Sequence, residues 1–285
     1  MTDRFRGRTV AITGAARGIG LATAQALAAR GARVSIGDLD ESLAHEAAAR
    51  IPGAHASGLD VRSKDSYARF IESTRAALGP IDILINNAGI MPMGLFEDED
   101  DAITTAQIDI NLRGVINGMK LVLPEMKRRG QGHIVNVASL AGRVPIPGAS
   151  VYCATKFAVI GLTESVRQEI RGSGVDITVV MPSRVSTELS SGTGSGGIPT
   201  AMPGEVAEAI LFAVEHNLPE VTAPRYLQPL SKVFQVLPRF LDEPLRKVVK
   251  DDRILTSLDR TARAAYEDRL AALAPAGERS TKKPA

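Results

Sequence analysis

Short apolar, β-branched runs alternate along the chain with longer amphipathic stretches. Residues 9–13 (TVAIT), 33–37 (RVSIG), 81–85 (IDILI), 133–137 (HIVNV) and 176–180 (DITVV) predict buried strands, with weaker ones at 54–59 and 220–223. Helical periodicity falls between them at 18–30, 41–50, 63–78, 101–129, 151–172 and 204–216. Strands alternating with helices imply right-handed βαβ crossovers. The expected fold is therefore α/β, a doubly wound, mostly parallel sheet covered on both faces. No internal repeat recurs at a fixed period. Residues 190–204 (SSGTGSGGIPTAMPG) are too rich in Gly and Ser to pack alone and predict a mobile loop that orders over a ligand.

Beyond residue 223 the pattern changes. In PRYLQPLSKVFQVLPRFL apolar residues recur at 226/227, 230, 233/234, 237 and 240/241, one helical stripe interrupted by Pro229 and Pro238. Between 225 and 250 six basic residues (Arg225, Lys232, Arg239, Arg246, Lys247, Lys250) face two acidic ones (Asp242, Glu243). An apolar stripe beside a basic face suits peripheral, salt-sensitive contact with an anionic membrane surface through 224–250. Packing on the core or on a partner subunit is the commoner fate of such a helix, and it is the expectation here. A second pattern at 254–273 puts Ile254, Leu258, Ala262, Ala265 and Leu273 on one face, as in an ordinary packed helix.

Composition narrows the class. A chain of 285 residues with 44% hydrophobic and 23% charged residues suits a large globular unit. The net charge of +2 comes from intermixed signs, and with no tryptophan to stack on bases a nucleic-acid partner is not expected. The single cysteine, Cys153, cannot form an internal disulfide, which fits a reducing cytoplasm. The start, MTDRFRGRTVAITG, has no apolar signal region, and no apolar run approaches the roughly 18 residues of a membrane span.

The first candidate chemistry is TGAARGIG (13–20), between the first strand and the first helix. Gly14 allows a tight turn, Gly18 lets backbone approach a pyrophosphate, and Gly20 lets the helix pack on the strand; Arg17 and Ile19 complete the loop. The second strand ends at Asp38, 18 residues after Gly20. A carboxylate there accepts both ribose hydroxyls of NAD and repels the 2′-phosphate of NADP. Its alternative use, capping the helix at 41–50, is better filled by Asp40. Arg17 could neutralise a 2′-phosphate, so NADP is possible, but NAD is favoured.

The second is SVYCATK (150–156). Tyr67, Tyr226 and Tyr266 are followed four residues later by Ile71, Leu230 and Leu270, whereas Tyr152 has Lys156 one helical turn along. A tyrosine titrates at about 10 and is a poor base at neutral pH. A neighbouring lysine cation and a positive nicotinamide ring favour the phenolate, so the reading is a lowered Tyr152 value and a proton exchanged with an alcohol or carbonyl.

These residues together resemble the short-chain dehydrogenase/reductase family, over about residues 7 to 187. TGAARGIG is similar to the family's T-G-x-x-x-G-x-G, NNAG (86–89) to its post-strand motif, and YCATK to its Y-x-x-x-K. Ser139 precedes Tyr152 by the family's interval of 13 residues, and Asn111 lies on the long central helix where the family has its catalytic asparagine. The resemblance implies catalysis by Ser139, Tyr152, Lys156 and Asn111. Ser139 would hold the substrate oxygen, Lys156 the nicotinamide ribose, and Asn111 a water linking Lys156 to solvent. It further implies adenine contacts from Asp60 and Val61, and ribose contacts from Asn87, Ala88 and Gly89. Pro182, Val185 and Thr187 would meet the nicotinamide. PSRVST (182–187) departs from the family's P-G-x-V-x-T, and Ser183 in place of glycine is expected to narrow that turn.

Each residue has a bland use: Ser139 as a turn cap, Asn111 as a polar helix residue, Lys156 as a solvated cation. Their joint occurrence behind a phosphate loop favours an NAD(P)-dependent oxidoreductase acting on an alcohol or carbonyl, with no metal required. The alternatives are a non-catalytic dinucleotide sensor on the same fold, for which the phosphate end alone would suffice, and an epimerase or dehydratase. Met91, Met93, Leu95, Phe96, Val144, Pro145 and Ile146 flank the expected cleft and point to a lipophilic small molecule such as a steroid, retinoid or long-chain carbonyl. The expected organisation is a dinucleotide-binding and catalytic domain over 1–223, a helical extension over 224–276 closing on the cleft or a subunit interface, and a disordered tail at 277–285. Long helices at 101–129 and 151–172 suit pairing into a homo-oligomer, a dimer or tetramer.

Overall fold

The computed structural model describes residues 4–194, 199–236 and 258–273. Seven strands form one parallel sheet in the order β3-β2-β1-β4-β5-β6-β9. These are β1 (Thr9–Thr13), β2 (Arg33–Asp38), β3 (His55–Gly58), β4 (Ile83–Asn86), β5 (Gly132–Val137), β6 (Val175–Pro182) and β9 (Glu220–Ala223). Two short strands, β7 (Arg184–Val185) and β8 (Thr200–Ala201), pair separately. Thus part of the stretch expected to be a mobile loop is tied back by a ladder; residues 195–198 lie outside the described residues.

The period-2 alternation of each strand sorts its side chains onto two faces. Val10, Ile12, Ile83 and Ile85 join one core with α1 (Gly18–Ala29), α2 (Glu41–Ala49) and α7 (Pro203–Glu215). Ala11, Leu84, Ile134 and Val179 join the other with α3 (Lys64–Leu78), α5 (Gly114–Arg129) and α6 (Ser150–Glu169). Helix α3 shows the logic at short range. Ser63 caps it by accepting from Ser66 N–H at 3.2 Å, and Tyr67, Phe70, Ile71 and Thr74 form its buried i, i+3, i+4, i+7 stripe. Each large apolar side chain buried this way stabilises by about 1.5 to 3 kcal/mol. Asp40 caps α2 as expected, accepting from Leu43 N–H at 3.0 Å.

The expected single helix over 101–129 is broken. Helix α4 (Asp101–Ile108) passes through one π turn (Asp109–Arg113) before α5 begins. Such an extra residue shifts the side chains that follow it around the helix, and π turns recur at functional sites. Asn111 sits in this one.

Chain order reverses across the sheet between β1 and β4, which opens a crevice at the carboxyl ends of the strands. Past β9 a short turn (Arg225–Leu227) leads into α8 (Gln228–Val236). Pro229 is the second residue of α8, where a missing N–H costs nothing, so it opens the helix rather than interrupting it. Arg225 stacks 3.4 Å from the Phe212 ring centroid and Lys232 pairs with Glu220 at 3.0 Å, so these two basic residues are tied to the main body. The other four, with Pro238 and Ile254, lie outside the described residues, as does the expected tail at 277–285.

Helix α9 (Arg260–Ala271) starts at Asp259, whose carboxylate caps Thr261 and Ala262. It crosses the crevice: Asp259 N–H donates to Gly192 at one end, and Arg62 donates to the Leu273 carbonyl at the other. Its buried face is not the expected one. Ala262 and Ala265 are exposed, and Arg263, Tyr266 and Leu270 point inward. Arg263 is fully buried, with loop carbonyls meeting its two terminal nitrogens, a pairing that apolar periodicity cannot express.

Candidate active site

The glycine loop is built for close approach. Gly14 and Gly18 hold φ of 62° and 56°, and a Cβ on Gly14 would stand 2.8 Å from the Ala88 Cα. Gly20 leaves room for a neighbour as well as for helix packing: a Cβ there would lie 2.7 Å from the Asn87 amide nitrogen. That amide donates to the carbonyls of Thr13 and Gly14 at 2.9 Å each, while the Thr13 hydroxyl accepts from Asn87 and Ala88 N–H at 3.0 Å. The loop after β1 and the segment after β4 are thereby locked across the crevice.

Asp38 ends β2 beside this loop. Its carboxylate accepts from Ala16 N–H at 3.0 Å and Asp40 N–H at 3.2 Å, so it fixes the loop's shape as well as presenting charge to the crevice. Arg17 pairs with Glu188 at 3.1 Å and Asp40 at 3.6 Å. Asp60 is held by Arg62 through contacts of 2.8 to 3.1 Å. Burial opposes its charged form, but the Arg62 hydrogen bonds and charge win and hold the carboxyl below its usual value. Asp60 and Val61 both border the crevice.

Tyr152, Lys156 and Ser139 converge at the carboxyl end of β5. Ser139 caps the turn at Leu140–Gly142, accepting from Ala141 N–H at 3.1 Å, and its hydroxyl also hydrogen-bonds Tyr152. The Lys156 Nζ donates to the Val137 carbonyl at 3.0 Å and lies 5.6 Å from the Tyr152 ring centroid. Both side chains are buried, and burial acts against the lowering expected from Lys156 and the nicotinamide. Burial pushes the Tyr152 phenol well above its usual range, against the opposing pull of the Ser139 hydrogen bond. The same burial pushes Lys156 down to about 8.

Asn111 is fully buried with both amide groups engaged. Its Oδ1 accepts from Ile90 N–H at 2.8 Å, and its Nδ2 donates to the Ile90 carbonyl at 2.9 Å and to Thr155 at 3.2 Å. Its side chain thus holds the main chain just after Gly89. Ser183 adopts no left-handed backbone; its hydroxyl donates to the Pro199 carbonyl at 3.0 Å and so anchors the returning loop. Thr187 faces Gly18, and Pro182, Ile19 and Val185 border the same crevice.

These groups share one cavity of about 970 Å³. Met91, Met93, Val144, Ile146, Leu189 and Leu270 give it an apolar wall. Leu95 and Phe96, expected there, point to solvent. Periodicity misses Tyr266 and Arg269 of α9, which also border the cavity. Among the described residues no His, Cys, Asp and Glu group could hold a metal ion, and no helix is long and apolar enough to cross a membrane.

Comparison with known proteins agrees with this geometry. A family model described as short chain dehydrogenase matches residues 8–196. The 3-alpha-(or 20-beta)-hydroxysteroid dehydrogenase of Mycobacterium bovis is 35% identical over 213 residues, covering 74% of this chain and 81% of its own. The ketoacyl reductase HetN of Nostoc sp. is 38% identical over 226 residues, covering 75% and 78%. The crystal structure of 3-ketoacyl-(acyl-carrier-protein) reductase from Brucella melitensis complexed with NADH superposes with a TM-score of 0.70 at 27% identity, over 78% of this chain and 99% of that one.

Proposed function

The chain belongs to the short chain dehydrogenase family of oxidoreductases, and from that premise we propose that it interconverts a lipophilic alcohol and its carbonyl using NAD in preference to NADP. The observation that carries this reading is the convergence of Ser139, Tyr152 and Lys156 on an apolar-walled cavity continuous with the glycine loop. The residues fit a dinucleotide. Gly14 and Gly18 form a cradle that side chains would fill, the N-terminus of α1 would hold the phosphates, and Asp38 would read a ribose. When bound, the nicotinamide supplies or takes the hydride.

The chain's own residues manage the proton and the geometry. A phenol raised by burial stays protonated at neutral pH, so Tyr152 is ready to donate to a carbonyl oxygen as it gains charge. The Ser139 hydroxyl stabilises that oxygen. Lys156, with its value near 8, is mostly charged at neutral pH and stabilises the phenolate left behind. Asn111 keeps Ile90 in place and so positions the Gly89 side of the cleft. In the oxidising direction the same groups run in reverse.

The apolar cavity favours steroid, retinoid or long-chain carbonyl substrates over sugars. Exposed Ile108 and Phe157, on α4 and α6, support a homo-oligomer that covers them. The test is a panel of alcohols and ketones graded by hydrophobicity, followed at the reduced-nicotinamide absorbance with each dinucleotide. Turnover rising with hydrophobicity and faster with NAD is expected; dinucleotide binding without turnover of any of them would leave the sensor reading. Light scattering at dilute concentration tests the assembly, and a strict monomer would count against it.

A further inference from the structure

Tyr266 has a use that anchoring α9 does not exhaust. Its phenol oxygen accepts from Met91 N–H at 2.9 Å, and among the described residues its own proton meets no acceptor. The side chain is only 8% exposed. It borders the catalytic cavity and lies close enough to Tyr152 to act on that phenol electrostatically. It is also held still. The Arg263 guanidinium lies 4.7 Å from the Tyr266 ring centroid and donates to the Met91 carbonyl, so both polar groups of one peptide residue fix the α9 face. The cavity it borders has an apolar wall that includes Met91, Met93, Leu189 and Leu270. A buried donor left unmatched is costly, and an acceptor on a bound molecule would recover that cost.

We infer that Tyr266, from the C-terminal helix, is a specificity-determining donor to a second oxygen on the substrate. The preferred class is then a lipophilic carbonyl or alcohol that carries another acceptor oxygen, with the reacting oxygen at Tyr152 and Ser139 and the second at Tyr266. Two fixed hydroxyls in one cavity measure the spacing of two oxygens, which an apolar wall by itself cannot do. A site built to bond an oxygen discriminates strongly against the analogue that lacks it. The inference rests on the carbonyl/alcohol activity proposed above.

The test compares a bicyclic diketone with the matching monoketone, each at saturating NADH, in the wild type and in Tyr266→Phe. The readout is the ratio of the two kcat/KM values, which a general loss of folded enzyme leaves unmoved. The wild type is expected to prefer the diketone by about tenfold or more, and the variant to bring the ratio close to one. No preference in the wild type, or an equal fall for both ketones in the variant, would overturn the inference. Thermal shifts of the NADH-bound protein with each ketone separate this from the activity itself. If neither ketone is turned over, the proposed reaction fails, yet a larger shift with the diketone that vanishes in Tyr266→Phe still supports the Tyr266 contact. Equal shifts in the wild type would sink it.

Discussion

Ile90 and Met91 are adjacent, and side chains hold both main-chain polar groups of each, but the holders come from different parts of the molecule. Asn111 grips Ile90 from a π turn between α4 and α5, inside the region that the family model matches. Tyr266 and Arg263 grip Met91 from α9, about 170 residues away and outside that region. The first clamp belongs to a buried core whose loss is felt by the whole fold. The second belongs to a helix laid over the crevice, packed on the same core through Tyr266 and Leu270. The expectation is that the first clamp is a fixed wall and that the second can open without unfolding what lies beneath.

The largest effect should come from the chemistry that both walls enclose. Tyr152→Phe is expected to lower kcat by about 10² to 10⁴-fold, the usual contribution of a positioned acid or base, while dinucleotide binding survives. Steady-state rates beside a fluorescence titration of NADH would check it, and substantial residual turnover would remove Tyr152 from the mechanism.

The two clamps can then be set against each other. Asn111→Ala strips the partners from a buried N–H and C=O, so a global loss of about 2 to 4 kcal/mol is expected in a denaturant titration. Arg263→Met leaves the carbonyls of Met91, Leu189 and Ser191 without their donor, at a local cost of about 3 kcal/mol. Hydrogen exchange should then show α9 amides exposed while those of β4 and β5 stay protected. Equal loosening of sheet and helix would show that the second wall is no more separable than the first.

A smaller effect depends on pH. Lys156 has an ordinary value of 10.5 and is pushed by burial to about 8 in the folded chain. Below about pH 8 both states carry the proton, and the buried charge penalises the fold in full. From there to about 10.5 the folded chain gives up a proton that the unfolded chain keeps, so this penalty shrinks as pH rises. The wild type should therefore gain on Lys156→Met in unfolding midpoint across that window. A constant difference between the two would mean that Lys156 does not titrate there.

The smallest expected change is in cofactor choice. Asp38→Ala should shift the NAD to NADP ratio of kcat/KM by about tenfold towards NADP, since a repelling carboxylate is lost. Glu188→Gln would add to it by loosening Arg17, which Glu188 now holds at 3.1 Å. If the wild type already prefers NADP in paired assays, Asp38 serves only to hold the Ala16 and Asp40 amides.

The sequence by itself determined the sheet, the place of the glycine loop and of Asp38 at the end of β2, and Lys156 one turn after Tyr152, because each depends on local spacing; Ser139 is reached only through the family resemblance. A strand writes its two faces in alternation, a turn writes its glycines, and one helical turn brings residues four apart together. Only the tertiary structure decided the rest. The π turn at Asn111 changes a helix by one residue and leaves no mark on its apolar period. The phenol shift of Tyr152 follows from burial, which has no local signature. Helix α9 was misread on its face because a fully buried arginine is invisible to a hydrophobic pattern: its placement depends on carbonyls of Met91, Leu189 and Ser191 that are distant in the chain and meet it only once the fold has closed.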